Sequence, residues 1–239
     1  MTAVRIKIYQ NLVNYRRELS YGYVQTYPLP TPSMVKGMVH FLLDLDRYHN
    51  LKISIQGNYK SVVTNMQRVY KFDRVRNDKK KQVVDMRAHV YAGGDRSLTQ
   101  GVMFVDEIVD MDLLLHISFD KEELNEQLFK IVRHRTVILG RNEDIGRVDY
   151  EGTALVEITP FNGEYRLPYS IYIEPNICEK EQIEGTYYRL PFYYEPISSF
   201  EDKRIFNYIE AVYVAKGNKI QYSTINIDND KNIVSFLSI

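Results

Sequence analysis

"YPLPTPSMVKGMVHFLL", residues 27–43, sets three prolines into five positions and then uses none. Met34, Val35, Met38, Val39, Leu42 and Leu43 follow at helical spacing, which predicts a helix running to about Asp46. Thr31 or Ser33 can cap it, and Pro32 suits a first-turn position whose N–H needs no partner within the helix. Its polar face carries Lys36, Gly37 and His40 beside that rigid start. A capped helix start turns free backbone N–H groups outward and favours negative charge.

On the N-terminal side, "AVRIKIY" (3–9) alternates strictly, with Val4, Ile6 and Ile8 on one face and Arg5, Lys7 and Tyr9 on the other, as a half-buried strand does. On the C-terminal side, "LKISIQGNY" (51–59) is a second strand. Residues 60 to about 104 read as an insertion, with arms near 66–76 and 82–92 around a tip "NDKKK" and an end at Gly93-Gly94. On its first arm Tyr70 and Phe72 share a face with Arg68, Arg74 and Arg76. Those rings either stack on a partner or cover the domain's own core. Residues 108–119 hold a third strand, and Asp120 with Glu123 resembles a capping box that opens a second helix to about His134. "TALVEIT" (153–159) is the fourth strand.

The order strand, helix, strand, strand, helix, strand is that of an α+β, ferredoxin-like split βαβ arrangement, also the plan of RNA-recognition (RRM-like) modules. It predicts a domain over residues 1–160 with the hairpin inserted, and a smaller β-rich part over 161–239 made of short tyrosine-rich strands.

Composition fits a soluble globular chain: 44% hydrophobic, 26% charged, and no apolar run near the roughly 20 residues of a membrane span. The N-terminus has no signal-peptide core, and Cys178 stands alone, so a cytoplasmic protein without a disulfide framework is expected. The formal net charge is zero, yet residues 1–96 carry 17 Lys/Arg against 7 Asp/Glu, a balance of +10 that the remainder cancels. A basic half points to an anionic partner on one side and leaves the acidic half for a protein. The twenty tyrosines suit base stacking or plain strand filling.

Phosphate-loop, zinc-helix and nucleophile-elbow motifs are missing, and histidines 40, 49, 89, 116 and 134 show no repeated metal-ligand spacing. No cofactor is expected. What remains are anion-binding features. They are the helix start with Ser33, Lys36 and Gly37, the "NYRREL" segment with Tyr15, Arg16 and Arg17, the basic aromatic hairpin, and "RHRTVILGRNEDIGR" with Arg133, His134, Arg135, Arg141 and Arg147. Phosphate contacts of this kind give affinity and register, while stacked rings and base edges give sequence.

"LVNYRREL", "YPLPTPSMVKGMVHFLL" and "ILGRNED" together resemble landmarks of the CRISPR-associated Cas-five family of the RAMP superfamily, most closely its type I-B branch, over roughly residues 3–159. The resemblance implies an RRM-like domain with a protruding hairpin thumb. It also implies a single subunit of a Cascade ribonucleoprotein in antiviral defense, gripping the 5′ handle of the CRISPR RNA (crRNA). Its partners would be the large Cas-eight subunit, a Cas-seven backbone subunit and, through the assembled complex, target DNA. Ser33, Lys36, Gly37, Arg16, Arg17, Arg141 and Asn142 lie on matching landmarks, and His40 shares the helix face. In the type I-C branch tyrosine, lysine and histidine side chains cleave precursor RNA without metal. This sequence has no adjacent Lys-His pair on a comparable landmark, which implies a non-catalytic subunit. The alternative is a metal-independent endoribonuclease using His134 or His40.

Overall fold

A computed structural model describes residues 1–20, 22–72, 89–91, 97–197 and 200–237. The alternation at the N-terminus produces β1 (Thr2–Val13), longer than the sequence pattern implied, followed by the two-residue β2 (Tyr23–Val24). Helix α1 (Pro32–Leu42) starts as expected: Pro32 occupies its first turn and the Thr31 hydroxyl accepts from the Met34 N–H. It stops short of Asp46. Asp44 adopts a left-handed φ of 52°, and Arg135 donates to the Phe41 and Leu42 carbonyls, closing the C-terminus with a cation where the helix dipole favours one.

The chain continues as β3 (Leu51–Asn58), β4 (Ser61–Phe72), β5 (His89–Tyr91) and the 23-residue β6 (Ser97–Phe119). The hairpin differs from its sequence-based outline. Its first arm is all of β4, and the return arm is the first half of β6, in register from Ser61↔Val109 to Phe72↔Leu98. Of the predicted second arm, 82–92, only His89–Tyr91 is described, pairing with the tip of β6. The predicted tip, Gly93-Gly94, Arg74 and Arg76 lie outside the described residues. Where the hairpin leaves the sheet, Asp110 takes φ 53°, accepts from Tyr9 Oη and pairs with Lys60 at 2.7 Å.

Helix α2 (Glu122–Ile131) is preceded by Lys121, not by an Asp120 capping box, and it ends before His134. The junction is held instead by Asn125, whose side chain accepts from the Phe119 N–H and donates to the Phe119 carbonyl, completing the last pairing of β6 from inside the helix. Then come β7 (Val137–Ile138) and β8 (Ile145–Glu157). The strands β3-β6-β1-β8 neighbour one another in that order, every pair antiparallel, which is the order a split βαβ plan requires. Val4, Ile6 and Ile8 of β1 are fully buried with Val35, Val39 and Leu42 of α1 and Leu128 of α2.

The remaining elements are β9 (Thr159–Arg166), β10 (Ser170–Ile173), α3 (Pro175–Lys180), β11 (Thr186–Ile197), β12 (Phe200–Val214), β13 (Lys219–Ile227) and β14 (Ile233–Val234). They do two things. Strands β10, β12 and β11 extend the main sheet beyond β3, with β11 at the edge, and four tyrosines (Tyr27, Tyr172, Tyr188, Tyr213) meet edge to face in its core. Strands β9, β13 and β14 form a second, three-stranded sheet.

The loop after β13 covers the face of the main sheet opposite the helices. Arg5 and His116, register partners on β1 and β6, both reach Asp228, at 2.8 and 3.1 Å, and the Ser235 N–H is received by Ser54 on β3. An RNA-recognition module would present bases to this central face. Here the chain's own residues 228–235 occupy part of it.

Candidate nucleic-acid interface

Ser33, Lys36, Gly37 and His40 recur at spacings of three and four along α1, so they share one stripe. That stripe forms the floor of a cavity of about 410 Å³. The loop after α1 supplies Asp46, Arg47 and Tyr48, and β11, packed against α1, supplies Tyr193 and Tyr194.

Lys36 is the unexpected member. It is not on an open polar face but only 4% exposed. Its ammonium lies 3.4 Å from the centre of the Phe192 ring, within 6 Å of Tyr48 and Tyr193, and donates to Tyr48 Oη at 3.1 Å. Ring quadrupoles attract a cation but do not replace water or a carboxylate. Burial therefore pulls the Lys36 pKa down to about 7. His40 is also shifted down, by burial first and then by the nearby His49 and Lys36, and its Nε2 is buried with no partner. Gly37 is the open spot: a Cβ there would meet nothing within 4 Å.

The other expected contacts do not gather at this cavity. Tyr15 is a core residue, wholly buried with its hydroxyl on Gln10 at 2.7 Å, so its ring offers no stacking face. Arg16 and Arg17 are exposed on the turn after β1. Arg16 donates to the Ser20 carbonyl, and Arg17 lies over Tyr27, which meets Tyr188 of β11. Five residues of strand, roughly 17 Å, separate Tyr188 from the cavity wall at Tyr193. Arg68 and Tyr70 stand exposed on the outer face of β4, beside Met66 and, across the hairpin, Val102 and Phe104. Phe72 continues that strand, in register with Leu98.

Arg133 donates to the Tyr150 and Thr153 carbonyls and lies over Phe129, which makes it a brace between α2 and β8. His134 is exposed in a separate groove between α1 and α2, so the two candidate histidines do not share a cavity. Arg141 departs furthest from the expectation. Its guanidinium is spent on Asp144, Glu107, Glu143 and Gln67, at 2.6–3.3 Å, whereas its neighbour Asn142 is exposed. This buried network fastens the 140–144 turn to the root of the hairpin. Among the described residues no cluster of three or more metal-ligating side chains occurs.

Arg47, Tyr48, Phe192 and Tyr193 were not singled out by sequence. The tyrosines of "FYYEP" look like strand filler, and their approach to a helix some 150 residues earlier is set by the sheet order alone.

No family model matches the chain, and no curated protein does. Its fold is similar to that of a chain in a CRISPR RNA-guided surveillance complex, at 12% identity over 91% of both chains with a TM-score of 0.53. A Cas protein (16% identity, 91% of this chain and 99% of the other) and a CRISPR protein from Archaeoglobus fulgidus (12% identity, 98% of both) each superpose with a TM-score of 0.46. No helix among the described residues is long and apolar enough to cross a membrane.

Proposed function

We propose that this chain is a crRNA-binding subunit of a CRISPR surveillance complex, of the type I-B-like Cascade kind. In that reading it holds the 5′ handle of the crRNA and anchors the Cas-eight large subunit and a Cas-seven backbone subunit for target DNA recognition. The observation that carries the reading is the cavity under the proline-started helix, holding Lys36 without a carboxylate partner, on a fold like that of a surveillance-complex chain. The exposed Arg16 and Arg17, and the outer hairpin face with Arg68 and Tyr70, supply further sites for phosphate and stacked bases. The chain is read as non-catalytic.

Native purification of a tagged copy tests this. The expected result is one copy per complex together with RNA bearing a repeat-derived 5′ end, and loss of that RNA when Arg16 and Arg17 are both reversed to glutamate. Several copies per complex, or complexes in which the handle is protected without this chain, overturn the reading.

One observation favours a second reading, metal-independent RNA cleavage: Lys36, His40 and Tyr48 line one cavity. Cleavage of that kind needs a base for the 2′-hydroxyl, whose oxygen attacks phosphorus, and an acid to protonate the departing 5′-oxygen. A lysine near pKa 7 and an imidazole are suitable groups. The non-catalytic reading predicts that stoichiometric protein leaves labelled repeat RNA intact in EDTA. Fragments that vanish on His40→Ala establish the enzyme instead.

A further inference from the structure

We propose that the cavity between α1 and β11 is a site for a single nucleoside phosphate, the phosphate seated against Lys36 and Arg47 and the base laid along the wall of Tyr48 and Tyr193. The proposal rests on the RNA-binding reading only for the source of the ligand, which is either a nucleotide of the bound RNA or a free mononucleotide.

Four features of the cavity define that ligand. Lys36 is a desolvated cation held by rings, and no carboxylate among the described residues lowers its cost, so an incoming anion would supply the missing counter-charge. Arg47 adds a second positive charge on the rim against the single carboxylate of Asp46. His40 has a buried ring nitrogen without a partner, and His49 packs against it, so the floor also offers an unsatisfied polar atom. The rings of Tyr48 and Tyr193, 5.2 Å apart at 40°, make one side of the cavity aromatic, while Gly37 leaves the floor beside them clear of side chain.

An acidic side chain of a protein partner would satisfy Lys36 alone. A flat heterocycle carrying a phosphate uses the rings, the cations and the open glycine together. The volume, about 410 Å³, is in the range of small-molecule sites.

Calorimetric titration of the full chain with AMP, UMP, inorganic phosphate and adenosine tests the assignment. Both monophosphates should bind, with phosphate weaker and adenosine weakest. Lys36→Met and Tyr193→Ala should each weaken the monophosphates roughly tenfold or more, while Tyr193→Phe, which keeps the ring, should not. Melting curves confirm that each variant is folded, and the two independent positions guard against one failing. Absence of monophosphate binding, or binding unchanged in both variants, overturns the site even if handle RNA is still retained. Assembly that depends on Lys36 without any nucleotide binding points to a protein carboxylate and also overturns it. Monophosphate binding with no handle RNA retained upholds the site and removes the crRNA reading.

Discussion

Replacing Arg141 by alanine is expected to cost about 3–5 kcal/mol of folding stability, because it strands buried carboxylates. Glu107 and Asp144 are 5% and 2% exposed at their side chains, and Arg141 reaches them at 2.6 and 2.8 Å. Burial alone would raise the Glu107 carboxyl, but hydrogen bonds from Asn65, Arg141 and Gln67 outweigh it and hold the group below the usual carboxylate range. Arg141 is itself raised by Asp144 and Glu107 despite burial.

The turn that carries it has no slack. Gly140 sits at φ 117°, and a Cβ there would lie 2.6 Å from Asp144 Oδ2. The same carboxylate accepts from the Asn14 and Arg141 N–H groups. Urea unfolding should show the loss, with a fall in melting temperature on the order of 10 °C. Arg141→Lys should lie between, since it keeps the charge without the fork. Asn142→Ala, one residue on and exposed, should stay within about 0.5 kcal/mol of the parent. An Arg141→Ala protein of unchanged stability that loses RNA would instead make this guanidinium a direct contact.

The second large effect is expected at Asp228. Its carboxylate is fully buried and accepts from Arg5, His116 and Asn232, while Asp230 shares Arg5 at 2.5 Å. Desolvation would raise its pKa, yet these donors, His116 and Asn232 foremost, hold it far below the ordinary value. The folded pKa is thus depressed relative to the unfolded one. The contribution is complete above the unfolded carboxylate pKa, about 3.9, and is lost as pH falls through the folded value. Asp228→Ala should therefore destabilise by roughly 3–5 kcal/mol near neutrality, with the difference from the parent shrinking as the medium is made strongly acid. Arg5→Met combined with Asp228→Ala should recover part of the loss, since the one carboxylate left without Arg5, Asp230, is exposed and no unpaired buried charge remains. A difference that is independent of pH, or a double variant no better than the single, would show that the carboxylate is not the pin.

Much of the sheet was legible because local pattern and tertiary role agree there. The alternation of β1 and the capped, proline-opened α1 leave little choice, and the order of four strands and two helices follows from them. The hairpin's return arm was misplaced because "QVVDMRAHVY" alternates as well as the true partner does, and strand register is settled by pairing, not by composition. At the candidate site the stripe on α1 could be read from its helical spacing. The fate of its lysine could not, since two of the three enclosing rings, Phe192 and Tyr193, come from β11, which sequence alone does not bring to α1. Arg141 misled for the opposite reason: a glycine-arginine turn looks the same in sequence whether its guanidinium faces solvent or two carboxylates folded beneath it.

Synthesis order gives the Asp228 loop another significance. The four strands of the central plan have all been synthesised once residue 157 is made, yet Arg5, Ser54 and His116 lie bare until residues 228–235 arrive. A nascent chain in that interval carries the part of the core built by β1, β3, β6 and the two helices on one side and an uncovered polar row on the other. Arrival of residues 228–235, not emergence of the helices, is then the moment at which this face closes, and chaperones that hold incomplete chains have their opportunity before it.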